Sequence, residues 1–203
     1  MTASPTVTTA AKPSYDVIVM SASAGGLEAV TSILSNLPAQ FPVPIIVVLH
    51  HAEGGSKALT RLLARWTRLS VVEATDGARL AAGTVYLAPA SRHMQLTADY
   101  TIASTNGRRI NYLRSSSDPL LTSLASICGP RAIALVLSGT GRNGALGAKA
   151  LHDAGGLVLA QDEATSRHFG MPGAAIAAGA VNAVLPLEAI ASRLIQLTHP
   201  TEP

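Results

Sequence analysis

Short apolar runs alternate with segments of helical period along most of the chain. Residues 16–22 (DVIVMSA) form a near-continuous apolar run, the pattern of a strand buried on both faces. Gly25 and Gly26 punctuate it, and a helix is predicted from about residue 27 to 37. Pro38, Pro42 and Pro44 mark the loop back, and residues 44–49 (PIIVVL) predict a second buried strand. Residues 57–66 predict an amphipathic helix. Leu59, Leu62, Leu63 and Trp66 make its apolar stripe, and Lys57, Arg61, Arg65 and Arg68 fall on the other face. Residues 70–74 (SVVEA) read as a third strand.

The middle of the chain changes character. Residues 84–88 (TVYLA) and 94–97 predict short strands. Residues 100–103 and 109–113 flank Asn106-Gly107, a two-residue hairpin signal. A helix follows from about residue 118 to 127, and residues 132–137 (AIALVL) form the most apolar run of all. Residues 138–144 (SGTGRNG) are a glycine-rich loop before a helix over 145–154. Gly155-Gly156 ends that helix, 157–160 reads as a strand, and Pro186 opens a last helix over 187–197.

This alternation predicts an α/β domain: a doubly wound, mainly parallel sheet with helices on both faces, in three α/β/α layers, with one small antiparallel hairpin. In such sheets ligands and chemistry sit at the carboxyl ends of the strands. Residues 1–14, rich in Thr, Ala, Ser and Pro, are expected to be a disordered tail. Residues 15–198 would form one folded domain and 199–203 a short tail.

Composition narrows the classes. The chain has 203 residues, 48% hydrophobic but only 3% aromatic, so its core is built from Ala, Val, Ile and Leu. One cysteine, Cys128, excludes a disulfide framework or a thiolate metal site and fits a reducing compartment. No apolar run reaches the roughly 18 residues of a membrane span, and residues 1–14 lack the apolar core of a secretory signal. A net charge of +3, without a dense basic run or stacking aromatics, argues against nucleic acid. The histidines are scattered with no carboxylate or cysteine at metal spacing, so no metal is expected.

Three groups stand at strand ends on the same sheet edge. Ser23 follows the first strand and precedes a helix N-terminus, where unpaired backbone N–H groups favour developing negative charge. The plain alternatives are a capping serine or a phosphate-binding turn, although the spacing matches neither a dinucleotide-binding nor a P-loop pattern. His50 and His51 close the second strand, within reach of a nucleophile on the first. Asn143, in the loop after the 132–137 strand, could orient an imidazole through its side-chain oxygen. Asp162, after the 157–160 strand, is the alternative orienting group; both also suit ordinary turns.

At these residues the sequence resembles the catalytic domain of CheB, the protein-glutamate methylesterase of bacterial chemotaxis, over about residues 16–194. The family's first strand ends G-A-S-T-G-G with the nucleophilic serine; residues 21–26 read SASAGG, so the resemblance gives that role to Ser23. The second strand of the family ends Q-H-M-P with the catalytic histidine, a role that the resemblance gives to His51 in His50-His51-Ala52-Glu53. Residues 85–94 (VYLAPASRHM), 155–162 (GGLVLAQD) and Gly170-Met171-Pro172 are also family-like. Methylesterases joined to methyltransferases carry S-G-T-G where others have T-G-M-G, and residues 138–141 match that form.

The resemblance implies a cytoplasmic serine hydrolase without cofactor. It would hydrolyse glutamate methyl esters, and deamidate glutamines, on methyl-accepting chemoreceptor helices. Its partners would include those helices, and a chemotaxis methyltransferase or a separate receiver protein, since the family's receiver domain is not found in these 203 residues. The sequence departs from the family where its triad aspartate is expected: Asn143 aligns there. An amide offers a dipole where a carboxylate would stabilise the imidazolium. Three readings therefore stand: a working esterase and deamidase, a weakened domain that binds or regulates in chemosensory signalling, and a hydrolase of another carboxyl ester.

Overall fold

The computed structural model describes residues 14–50, 55–105 and 115–198. Nine strands and six α-helices follow in the order β1 (Val17–Ala22), α1 (Gly26–Ser35), β2 (Ile45–Leu49), α2 (Ser56–Ala64), β3 (Ser70–Glu73), β4 (Thr84–Leu87), β5 (His93–Leu96), β6 (Ile102–Thr105), α3 (Asp118–Ile127), β7 (Ala132–Val136), α4 (Ala145–Asp153), β8 (Leu157–Gln161), α5 (Gly170–Ala177), β9 (Ala183–Leu185) and α6 (Leu187–Thr198). Seven strands form one parallel sheet in the order β3-β4-β2-β1-β7-β8-β9. The chain starts at the centre, builds outward through β2, then returns to β7 on the other side of β1. The point where the winding reverses is the carboxyl end of β1, between β2 and β7, which is where such sheets carry their sites.

The two-residue period of β1 explains the layers. Ile18 and Met20 enter a cluster with Val30 and Ile33 of α1, Leu63 of α2 and Leu194 of α6. Val17 and Val19 point the other way, into a cluster with Leu120 and Leu124 of α3, Leu151 of α4 and Met171 of α5. Both faces of the central strands are thus covered, as their unbroken apolar runs require. Each fully buried aliphatic side chain contributes about 1.5–3 kcal/mol relative to exposure.

Three features depart from the sequence reading. The antiparallel pair is β5 with β6, joined by a turn in which Tyr100 takes φ 58°. Asn106-Gly107 and residues 109–113 lie outside the described residues. Along α2 and the turn after it the apolar stripe is split: Leu59 and Leu63 are buried, whereas Leu62 is 38% exposed and Trp66, beyond the end of the helix, is 57% exposed. Finally, α5 and the short edge strand β9 are additional elements.

At the amino end of the sheet, Asp16 and Arg131 tie the starts of β1 and β7. The Asp16 N–H donates to the Arg131 carbonyl at 2.8 Å, and the guanidinium donates to both carboxylate oxygens. Tyr100 donates its hydroxyl to Asp16 Oδ2 at 2.8 Å. That bond to Asp16, helped by burial, pushes the Tyr100 phenol up to about 12, and burial pushes the nearby Cys128 thiol up to about 11. In the unfolded chain these groups lose their protons at about 10 and 8.5. The folded state keeps protons that the unfolded chain has released. The stability from these groups is therefore complete below the unfolded values and is lost as pH climbs through 11 and 12. Urea unfolding midpoints should fall across this alkaline range, and the fall should flatten in a Tyr100→Phe, Cys128→Ala double variant. Equal slopes in the two proteins would remove these groups from the alkaline transition.

Candidate active site

β1 and β2 run parallel with Ala22 opposite Leu49. The next residues, Ser23 and His50, therefore leave the sheet side by side at its carboxyl edge. The Ser23 N–H donates to the Ser138 carbonyl at 3.0 Å and the His50 N–H to the Ala22 carbonyl at 3.3 Å. The Ser23 hydroxyl lies 3.1 Å from His50 Nδ1. Behind it, Gly25 turns the chain into α1 at φ 73°. A Cβ there would come within 2.7 Å of Arg167 Cβ and Ser138 Oγ, so the turn that aims Ser23 needs glycine.

The other imidazole nitrogen, Nε2, has two neighbours of opposite kind. The Ser115 carbonyl lies at 3.0 Å and the Asn143 amide nitrogen at 2.9 Å. Asn143 is 4% exposed, and its orientation is set from behind. Its Oδ1 accepts the Ser117 backbone N–H at 3.1 Å and the Ser116 hydroxyl at 2.7 Å. A backbone N–H can only donate, so the oxygen must face it and the NH₂ must face His50. The sequence reading has Asn143 orient the imidazole through its oxygen; the structure turns that oxygen away, because the peptide before α3 claims it.

The two neighbours of Nε2 select different tautomers. If Nε2 carries the proton, it donates to the Ser115 carbonyl and leaves Nδ1 bare to accept from the Ser23 hydroxyl. If Asn143 donates to Nε2, the proton sits on Nδ1 and points at Ser23, where the ring is no base. A carboxylate at position 143 could accept from Ser116, Ser117 and Nε2 together. The amide can satisfy only the first two.

The glycine-rich loop after β7 is held from three sides. The Ser138 N–H donates to Gln161 Oε1 at 2.9 Å, and the Ser138 hydroxyl to the Ala24 carbonyl at 2.9 Å. Gly139 pairs with the start of α5: its N–H donates to the His168 carbonyl and its carbonyl accepts the Met171 N–H, each at 2.9 Å. A side chain at position 139 would collide with the Met171 sulfur. The loop walls a groove of about 880 Å³ over Ser23 and His50, with Thr140, Arg142, Leu146 and Ala177 around it. Leu146 is 71% exposed.

Asp162, the alternative orienting group, is engaged elsewhere. Its Oδ1 accepts the Thr165 N–H at 2.9 Å and the Thr165 hydroxyl at 2.6 Å, closing a turn after β8. His51 lies outside the described residues. The sequence reading missed Ser115, Ser116 and Asp118 as parts of the site. A Ser-Ser-Ser-Asp run before an apolar segment signals a helix start, and nothing local says what else it touches. Among the described residues no three His, Cys, Asp or Glu side chains are grouped to hold a metal, and no helix is long and apolar enough to cross a membrane.

The profile of the CheB methylesterase family matches residues 18–194. The chain belongs to the CheB methylesterase family. It is 44% identical over 184 residues to protein-glutamate methylesterase/protein-glutamine glutaminase 2 of Anaeromyxobacter dehalogenans, covering 91% of this chain and 54% of that protein. It is 39% identical to the protein-glutamate methylesterase FrzG of Myxococcus xanthus, covering 91% of this chain and 55% of that protein. The chain thus spans about half the length of these relatives. The crystal structure of the Thermotoga maritima CheB methylesterase catalytic domain superposes with a TM-score of 0.88 at 36% identity, over 91% of this chain and 99% of that one. The α/β/α architecture expected from the sequence is therefore the CheB catalytic fold.

Proposed function

We propose that this CheB domain is a serine hydrolase that cleaves γ-glutamyl methyl esters on chemoreceptor helices and deamidates receptor glutamines in the cytoplasm. Ser23 is the nucleophile and His50 the base; the observation that carries this is the 3.1 Å contact between Ser23 Oγ and His50 Nδ1 at the mouth of the groove. His50 Nδ1 removes the hydroxyl proton as Oγ bonds to the side-chain carbonyl carbon. The ester C–O bond then breaks, and His50 returns the proton to the leaving methanol, or to ammonia from a glutamine. Water attacks the acyl-serine by the same route and releases the glutamate. Backbone N–H groups of the Thr140 loop or of the Ser23 turn would stabilise the oxyanion. The reaction is acyl transfer to water and needs no cofactor. Further partners are a chemotaxis methyltransferase or a separate receiver protein.

His50 rather than His51 takes the base role in this proposal because of the register. With Ala22 opposite Leu49, Ser23 and His50 are level at the ends of β1 and β2, and His50 Nδ1 meets the Ser23 hydroxyl at 3.1 Å. Asn143 is the third member in position but not in chemistry: it holds the ring by its NH₂, and the Ser115 carbonyl takes the place of an acceptor. That amide favours a second reading, a weakened CheB domain that binds a signalling partner with little turnover.

One experiment separates the two. The protein is incubated with a methylated chemoreceptor fragment and methanol release is measured, in parallel with fluorophosphonate labelling. The hydrolase reading expects methanol above the uncatalysed rate and a label on Ser23. Tight binding of the fragment with neither methanol nor label would establish the binding module instead.

A further inference from the structure

We propose that Asp118 is a positioning residue whose buried charge partly replaces the carboxylate that position 143 lacks, making His50 a stronger base; this rests on the hydrolase reading above. The path is continuous. Asn143 Nδ2 lies 2.9 Å from His50 Nε2, Asn143 Oδ1 2.7 Å from the Ser116 hydroxyl, and that hydroxyl 3.2 Å from Asp118 Oδ2. Ser116 and Asp118 are 2% and 7% exposed. The partners of the carboxylate are the Ser116 hydroxyl and the Gly147 N–H, both neutral, so no ion pair among the described residues cancels its charge. A charge screened by little water acts over several ångströms more strongly than a surface charge.

Among the described residues, the titratable and charged groups bonded to this chain or beside it in the groove are Asp118 from α3, His93 from β5 and Arg142 from the loop before α4. His93 Nδ1 accepts the Ser116 N–H at 3.2 Å. Arg142 stands exposed at the rim of the groove and would disfavour an imidazolium. Asp118 is the negative group in this set.

A purely mechanical role has a clear structural basis. Asp118 Oδ1 accepts the Gly147 N–H at 2.9 Å, and Gly147 is the third residue of α4, a helix with no side-chain cap of its own. Asp118 therefore tethers the helix that begins just after Asn143. Asp118→Asn separates the roles: the amide oxygen can still accept from Gly147, and the NH₂ can donate to the Ser116 oxygen while the single Ser116 proton goes to Asn143. The tether is kept and the charge is lost.

The test is a proton-NMR titration of the His50 imidazole in the full 203-residue chain, with the resonance assigned by His50→Gln. In Asp118→Asn the His50 pKa should fall by about one unit. The acid limb of kcat/KM should move to lower pH by the same amount, and kcat should fall about tenfold. In the wild-type protein the Asp118 carboxyl carbon should show an inflection at the His50 pKa, a readout that needs no variant. An unmoved His50 pKa, or no inflection at Asp118, overturns the proposal whatever the turnover. A lowered pKa with no ester hydrolysis in any variant would uphold the coupling and reject the hydrolase reading.

Discussion

Asn143→Asp is expected to raise kcat for ester hydrolysis by about 10²–10⁴, the range set by the reverse change in another serine hydrolase. The geometry explains the direction. The Asn143 oxygen is already committed to Ser116 and Ser117, so the group left for His50 is an NH₂ donor at 2.9 Å. That donor stabilises the tautomer with its proton on Nδ1, facing Ser23, and it repels the imidazolium that forms when Ser23 gives up its proton. A carboxylate keeps the two bonds from behind and accepts from Nε2. It then fixes the reactive tautomer and stabilises the cation. The substitution is nearly isosteric, so unfolding curves of the two proteins should coincide closely. Equal kcat in both would mean that the Ser115 carbonyl already fixes the tautomer and that the cation is stabilised elsewhere.

The same site bears on a chemical liability. Asn143-Gly144 is the pair most open to spontaneous deamidation, in which the Gly144 nitrogen attacks the side-chain carbonyl. Here both amide atoms of Asn143 are bonded, and Gly144 holds φ 85° as the cap of α4, whose Ala148 N–H donates to its carbonyl at 2.8 Å. Succinimide closure would have to break these contacts. Aged folded protein should therefore keep Asn143 by peptide mass spectrometry, and its activity should stay at the level of fresh protein.

Much of the fold was legible because its central strands are buried twice. A run such as 132–137 can hardly be anything but a sheet interior. Elements failed to show where local signals pointed elsewhere. Gly170, Pro172 and Gly173 look like a loop, yet Pro172 falls in the first turn of α5, where a missing N–H costs little. β9 has three residues at a sheet edge, too few for a period. The β5–β6 turn carries Tyr100 at positive φ and no glycine, so Asn106-Gly107 drew the hairpin reading instead. In the site, Ser23 could be found because it follows a strand directly, and Asn143 because it lies in the glycine-rich loop after one. Ser115 could not: it meets His50 across 65 residues of sequence, and only the packing of α3 brings it there.

His50→Ala is expected to remove almost all ester hydrolysis, and His51→Ala to leave it within a few-fold of the parent. Ser23 Oγ and His50 Nδ1 are 3.1 Å apart, so loss of the ring leaves the hydroxyl with no base in contact among the described residues. The size of the loss should depend on position 143. In another serine hydrolase, removal of the histidine costs about 10⁶ in kcat and removal of the acid alone about 10⁴, so the dyad without its acid is worth about 10². Alanine at position 50 should accordingly cost about 10²-fold in the native chain and about 10⁴-fold or more once Asn143→Asp is present. This non-additivity is the signature of groups that act as one unit, and Ser23→Ala should show it with the same two magnitudes. The measurement is methanol release from a methylated receptor fragment by the four proteins of the His50 and Asn143 cycle, with His51→Ala beside them. A loss in His51→Ala as large as that in His50→Ala would move the base to His51 and leave His50 as the residue that packs beside it. A loss at His50 that stays the same size in both backgrounds would mean that His50 and position 143 contribute independently, and that the imidazole is not oriented through that side chain.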